Sequence, residues 1–269
     1  MLIANARMYS VNASVAAAWQ TLLEWVIARA QVECEFIAYP PPAPLAALWA
    51  RPDVGCVFMC GFPISNARPT PRILAAPVPD PARYGGKPVY CTDIVVRADS
   101  PLRHITDTFG RRFAFTTEDS QSGYQAPRQF LAPFARDRGA ALYASIVGPL
   151  VMPRRVVETV LGGKADAGPL DSYFHDLLRQ HEPAIAAQLR VVASTRFTPI
   201  PALVAAPALP EADARRLTDA LLAVSDTAGL ASVRNTLLLR GFAAVDAKDY
   251  DALRSDALEV DAAGYPQIA

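Results

Sequence analysis

Thr116-Thr117-Glu118-Asp119-Ser120-Gln121-Ser122-Gly123-Tyr124-Gln125-Ala126-Pro127-Arg128 follows the apolar run Arg112 to Phe115 and leads into an amphipathic segment. That order reads as strand, polar loop and helix N-terminus. The first turn of a helix leaves backbone N–H groups without intrahelical partners at the positive end of the macrodipole. A loop that delivers Ser120 and Ser122 there forms a cradle of anion size. Gly123 allows a close approach of ligand to backbone. The same residues also suit plain N-capping, and this stretch alone leaves both readings open.

Outward from the loop, the chain alternates strands and helices. Leu2 to Met8 reads as a buried strand ending at Tyr9, with Asn12 or Ser14 as cap of a helix whose apolar face is Val15, Trp19, Leu22, Leu23, Val26, Ile27 and Ala30. A strand near Cys34 to Tyr39, a short helix through Leu45, Leu48 and Trp49, and a buried strand from Asp53 to Cys60, broken at Gly61-Phe62-Pro63, complete a β-α-β-α-β series. Val89 to Ala98 reads as one long strand. A second series follows: a helix near Leu102 to Phe109, strand Arg112 to Phe115, the serine loop with a helix to about Arg138, strand Tyr143 to Val147, a helix near Arg154 to Leu161, strand Ala165 to Leu170 and a helix from Ser172 to His181. Strands at Leu189 to Ala193 and Ala202 to Ala206 flank a proline-marked segment, and three helices close the chain near Glu211 to Ser225, Leu230 to Leu239 and Asp249 to Val260.

This pattern predicts an α/β protein with mixed or mostly parallel sheets flanked by helices and a discontinuous first lobe, residues 1–92 and 195–269, around a second lobe, residues 93–194. Ligands of open α/β sheets bind outside the carboxyl ends of strands. Four such ends carry candidate groups here: Tyr9, Gly61-Phe62, Ser120 to Gly123, and Asp171.

Composition narrows the function. Lys plus Arg equals Asp plus Glu at 26 each, without a basic run, so a nucleic-acid or anionic-membrane surface is not expected. No apolar stretch has the length of a membrane span, and Met1-Leu2-Ile3-Ala4 does not read as a secretory leader. Cys34, Cys56, Cys60 and Cys91 form no Cys-x-x-Cys pair, which argues against zinc, and each is expected to pack as a small apolar group without a disulfide. His104, His175 and His181 are isolated in sequence and receive no role.

Several runs together resemble a known family: Cys60-Gly61-Phe62-Pro63, Tyr90-Cys91-Thr92-Asp93 through Ser100, Asp119-Ser120-Gln121-Ser122-Gly123-Tyr124, Gly163-Lys164-Ala165-Asp166 through Asp171, and Gly241-Phe242 through Tyr250. In order and spacing they are similar to the substrate-binding components of phosphate, phosphite and phosphonate ABC transporters. The resemblance implies a two-lobed type 2 periplasmic binding-protein fold with a ligand cleft between lobes, a hinge, a permease partner with its ATPase, a periplasmic location and no cofactor. It places Tyr90, Ser120, Ser122 and Asp171 in the cleft, with Tyr9 and Phe62 at matching strand ends, and Gly123 joins the candidates as the point where a ligand can approach the backbone. Relatives begin the helix after the Val147 strand with Gly-Ser-His. This chain reads Gly148-Pro149-Leu150-Val151-Met152-Pro153-Arg154-Arg155 instead, with extra residues and no histidine.

A carboxylate facing a bare dianion in a low-dielectric cleft is repelled, so Asp171 needs a proton or a donor on the ligand. The expected ligand is therefore a small anion or zwitterion. It sets an acceptor end at Ser120 and Ser122, a donor such as an amine at Asp171, and an apolar middle under Tyr9, Phe62 and Tyr90. A phosphonate, another oxyanion or an amino-bearing carboxylate fits this description. A monomer is expected. Two other classes stay open: a cytosolic small-molecule sensor, and a pyrimidine- or thiamine-related enzyme on the same fold with Cys60 as nucleophile. Against the enzyme, the chain has no Gly-x-Ser-x-Gly, His-Glu-x-x-His or Walker phosphate loop.

Overall fold

The computed structural model describes Met1–Ala269. The chain runs β1 (Leu2–Asn5), α1 (Ala13–Ala30), β2 (Cys34–Phe36), α2 (Leu45–Trp49), β3 (Val54–Met59), α3 (Gly61–Asn66) and β4 (Arg72–Pro79). Next come β5 (Val89–Tyr90), β6 (Thr92–Arg97), β7 (Arg112–Ala114), α4 (Ala126–Arg138), β8 (Ser145–Val147), α5 (Pro153–Leu161), β9 (Ala167–Asp171), α6 (Ser172–His181), α7 (Pro183–Ala186) and β10 (Leu189–Ser194). The last part holds β11 (Thr198–Pro199), β12 (Ala202–Ala205), α8 (Glu211–Leu222), α9 (Ala231–Thr236), β13 (Leu239–Ala243) and α10 (Asp251–Ala262). Two compact units result: Met1–Val89 with Pro199–Tyr250, and Tyr90–Thr198 with Asp251–Ala269.

The first unit is built on a six-stranded sheet in the order β13-β4-β12-β3-β1-β2. β1 runs parallel to β2 and β3, while β12 is antiparallel to both β3 and β4. β3 is buried along its whole length, as its uninterrupted apolar sequence requires. α1 starts where Asn12 accepts the Val15 N–H at 3.0 Å, and it turns Val15, Trp19, Leu22, Leu23 and Val26 fully inward. The directions put the exits of β1 and β3, adjacent strands, on one edge, so Tyr9 and Phe62 follow strands that end side by side.

The second unit has a five-stranded sheet, β10-β6-β9-β7-β8. β7 is parallel to β8 and β9, and β6 is antiparallel to β9 and β10. The carboxyl ends of β7, β8, β9 and β10 and the start of β6 therefore share one edge. The core beneath contains Phe113, Leu131, Leu142 and Tyr143.

The C-terminal segment differs from the sequence expectation. Residues 251–269, read as part of the first lobe, pack in the second unit, where Val260, Tyr265 and Ile268 join the core around Phe113. Arg128, 3% exposed, fixes them by donating to the carbonyls of Ala257, Tyr265 and Pro266 at 3.1 Å each and to the Asp261 carboxylate. The expected long strand Val89 to Ala98 is two strands with a break at Cys91, and the chain passes between units within this stretch. The expected helix near Leu102 is only a single tight turn, Ile105–Thr108. Gly61–Asn66, read as a chain break, is helical, and the expected helix over Leu230 to Leu239 stops at Thr236 so that Leu239–Ala243 can join the sheet beside β4.

Arg112 at the start of β7 grips Asp166 just before β9: its backbone N–H, Nε and Nη2 all reach the carboxylate at 2.9 Å. That hydrogen bonding holds the Asp166 carboxyl below its ordinary value. The stability it contributes is fully present above the unfolded-state pKa and is lost as pH falls through the depressed folded-state value. Asp166→Asn is expected to be less stable than wild type at neutral pH, with the gap closing under acid conditions. Urea melts at a series of pH values check this, and a gap that does not change with pH would refute it.

Candidate functional site

The serine loop leaves β7 through Phe115 and Thr116 and enters a single π-helical turn, Gln121–Gln125, that runs on into α4. The Ser120 carbonyl accepts from the N–H groups of both Tyr124, at 3.1 Å, and Gln125, at 3.0 Å, which widens the first turn. Ser120 is the N-cap: its hydroxyl oxygen accepts the Gly123 N–H at 3.0 Å. Accepting that bond leaves the hydroxyl hydrogen of Ser120 available for a second acceptor. Ser122 is buried, its carbonyl accepts from the Thr92 hydroxyl at 2.9 Å, and neither its N–H nor its own hydroxyl has a partner in the protein. The turn thus offers O–H and N–H donors at the positive end of a helix.

Gly123 is required by packing. A Cβ there would stand 1.8 Å from Thr116 Oγ1 and 2.9 Å from Ser120 Oγ. Thr116 Oγ1 is itself buried without a hydrogen-bond partner, an uncommon and costly state. The Thr116 backbone is tied on both sides, its N–H to the Gly123 carbonyl at 3.3 Å and its carbonyl to the Val151 N–H at 3.0 Å.

Asp171 ends β9 and caps α6: Oδ1 accepts from the N–H groups of Tyr173 at 2.9 Å and Phe174 at 3.0 Å. It pairs in register with Thr92, two residues after Tyr90, so Tyr90, the serine loop and Asp171 come together on the strand-end edge of the second unit. Tyr90 is only 1% exposed. Burial first, and then the nearby Asp171 and Asp176, push the Tyr173 hydroxyl up well beyond its ordinary pKa. In the first unit Tyr9 is equally buried, its ring 5.1 Å edge-on from Phe58 and 6.5 Å from Trp19, while Phe62 is half-buried in the first turn of α3. The tyrosines are therefore packed aromatics at strand ends.

Sequence reasoning overlooked the scaffold behind this edge. Asp93 on β6 accepts from Ser194 at 2.8 Å and meets His175 Nδ1 at 2.8 Å, with Asp93 and His175 each 1% exposed. His175, unassigned from sequence, is a buried partner that ties α6 to β6. The polar pair Thr92-Asp93 ahead of the apolar run Ile94 to Val96 was the available signal, since a buried polar residue in a central strand needs a partner.

The family model described as "ABC transporter, phosphonate, periplasmic substrate-binding protein" matches residues 9–250. Among solved structures, a binding-protein component of an ABC phosphonate transporter from Pseudomonas aeruginosa superposes with a TM-score of 0.81 at 16% identity, covering 98% of this chain and 87% of that one. PhnD1 from Prochlorococcus marinus in complex with methylphosphonate gives 0.79 at 18% identity, covering 97% and 98%. The alkanesulfonate-binding protein SsuA from Xanthomonas axonopodis pv. citri bound to MOPS gives 0.61 at 17% identity, covering 100% and 95%. No curated protein sequence matches the chain. These likenesses show the two-lobed fold of periplasmic binding proteins, and no helix here is long and apolar enough to cross a membrane.

Because a Cβ at position 123 would overlap Thr116, Gly123→Ala is expected to distort the π turn and cost about 1–3 kcal/mol of stability, the range for overpacking a tight site. Thermal melting measures it. A variant as stable as wild type would mean that the loop adjusts and does not depend on this glycine.

Proposed function

The chain belongs to the phosphonate-binding family of periplasmic substrate-binding proteins of ABC transporters, and from that premise we propose that its ligand is a small anion or zwitterion seated with its acceptor end on the Ser120–Gly123 turn. The carrying observation is Ser122, a buried residue whose N–H and hydroxyl both lack protein partners at a helix N-terminus. Charge around the strand-end edge favours a ligand that is not a bare dianion. Glu118, Asp119 and Asp171 are acidic, while the arginines in the first turn of α5 are matched by carboxylates, Arg154 by Glu182 and Arg155 by Glu158. A donor on the ligand, such as an amine, answers Asp171.

In this reading the protein hands its ligand to a membrane permease and carries out no catalysis. Cys60, the nucleophile of an enzymatic reading, is 5% exposed near Tyr250, whose hydroxyl donates to the Ile200 carbonyl at 2.9 Å. Burial, with Asp249 and Cys60 nearby, raises the Tyr250 pKa, so it is a poor base toward the thiol at neutral pH.

Calorimetric titration of aminoethylphosphonate, methylphosphonate and inorganic phosphate tests the assignment. Ser122→Ala is expected to lose roughly 1–3 kcal/mol of binding with its melting temperature unchanged, because the hydroxyl serves no bond within the protein. Asp171→Asn retains a good N-cap and is expected to lose the preference for the amine-bearing phosphonate. The proposal fails if phosphate binds tightest to wild type, or if Ser122→Ala binds all three as wild type does.

A further inference from the structure

Val151 lies in the segment Gly148–Met152 that follows β8, and three observations single it out. Its φ is +69°, in the left-handed region, where a β-branched side chain is strained. It is one of four exposed large apolar side chains in the protein, at 37%. Its N–H donates to the Thr116 carbonyl at 3.0 Å, while the neighbouring Leu150 N–H donates to Phe115 at 3.1 Å, so the segment is strapped along the exit of β7 beside the serine loop. At Gly148 the strap runs so close that a Cβ would sit 2.4 Å from the Phe115 ring. Glycine or asparagine at position 151 would satisfy the same backbone with less strain.

We propose that Val151 is a specificity-determining residue, an apolar wall against the substituent that an anionic ligand carries next to the group held by Ser120 and Ser122. This deepens the ligand assignment above and rests on it. The chemistry implied is an alkyl-bearing oxyanion: the headgroup takes the donors of the π turn, and the carbon attached to it meets Val151. Local strain held beside the π turn, on a residue whose apolar side chain is exposed to solvent, is accounted for by a binding wall and not by a purely structural strap.

The test compares methylphosphonate with propylphosphonate on wild type, Val151→Gly and Val151→Thr by calorimetry, with melting temperatures of all three proteins. Wild type is expected to favour propylphosphonate, by about fourfold for each methylene buried. Val151→Gly should melt higher, since the backbone strain is relieved, and yet lose most of that preference. Val151→Thr keeps the branched shape and the strain, and should lose preference without the gain in melting temperature. A glycine variant that is more stable with an unchanged ratio of affinities would overturn the proposal. So would equal affinities in wild type, with the anion assignment left standing. If neither phosphonate titrates on wild type while Ser120→Ala and wild type behave alike, the anion assignment itself falls and takes the wall with it.

Discussion

A missing methyl group at Gly123 lets the π turn close onto the end of β7, and the strand-end edge of the second unit depends on that approach. The Thr116 side chain fills the space where a Cβ would be. The Thr116 backbone then has one bond to the turn and one to the segment after β8, which couples two neighbouring parallel strands beyond the last residue pair of their ladder, Ala114 and Val147. Thr92 closes the other side through its bond to the Ser122 carbonyl. The donors of the turn are thus held by groups from β6, β7 and the β8 exit before any ligand arrives, and fixed donors of this kind bind an anion with little ordering cost.

Local elements with a strong physical signature were legible in the sequence. The helix after Asn12 forms with one of the two expected caps, Asn12, and with the expected inward face apart from Ile27, which is half-buried, and the second α/β series reads correctly from the strand before the serine loop to the helix after Asp171, because period and capping residues agree there. Leu239–Ala243 was misread because Leu237-Leu238-Leu239 continues the apolar pattern of α9, and only the pairing with β4 makes the end of it a strand. The short helix at Gly61–Asn66 was hidden by a glycine and a proline that usually punctuate chains. Of the candidate site, Ser120, Ser122, Gly123 and Asp171 were readable as residues, whereas the Thr92 tether, the widened turn and the Thr116 contact depend on tertiary proximity. The Asp93 and His175 pairing spans 82 positions, and no local pattern announces it.

Ser120 and Asp171 both cap helices, and the capping role does not exclude the ligand role proposed for them. Ser120 accepts a backbone N–H with its oxygen and keeps a hydrogen to donate, so capping orients the hydroxyl that a ligand acceptor would meet. Asp171 likewise fixes one carboxylate oxygen, Oδ1, on two helix N–H groups. Both residues are consequently immobilised by the helices they start, and a ligand need not order them. The contrast lies in sign. The π turn carries donors and Asp171 a negative charge, on the same edge of a single sheet. A ligand with one acceptor end and one donor end complements both, whereas a symmetric dianion gains at the turn and is repelled at the carboxylate.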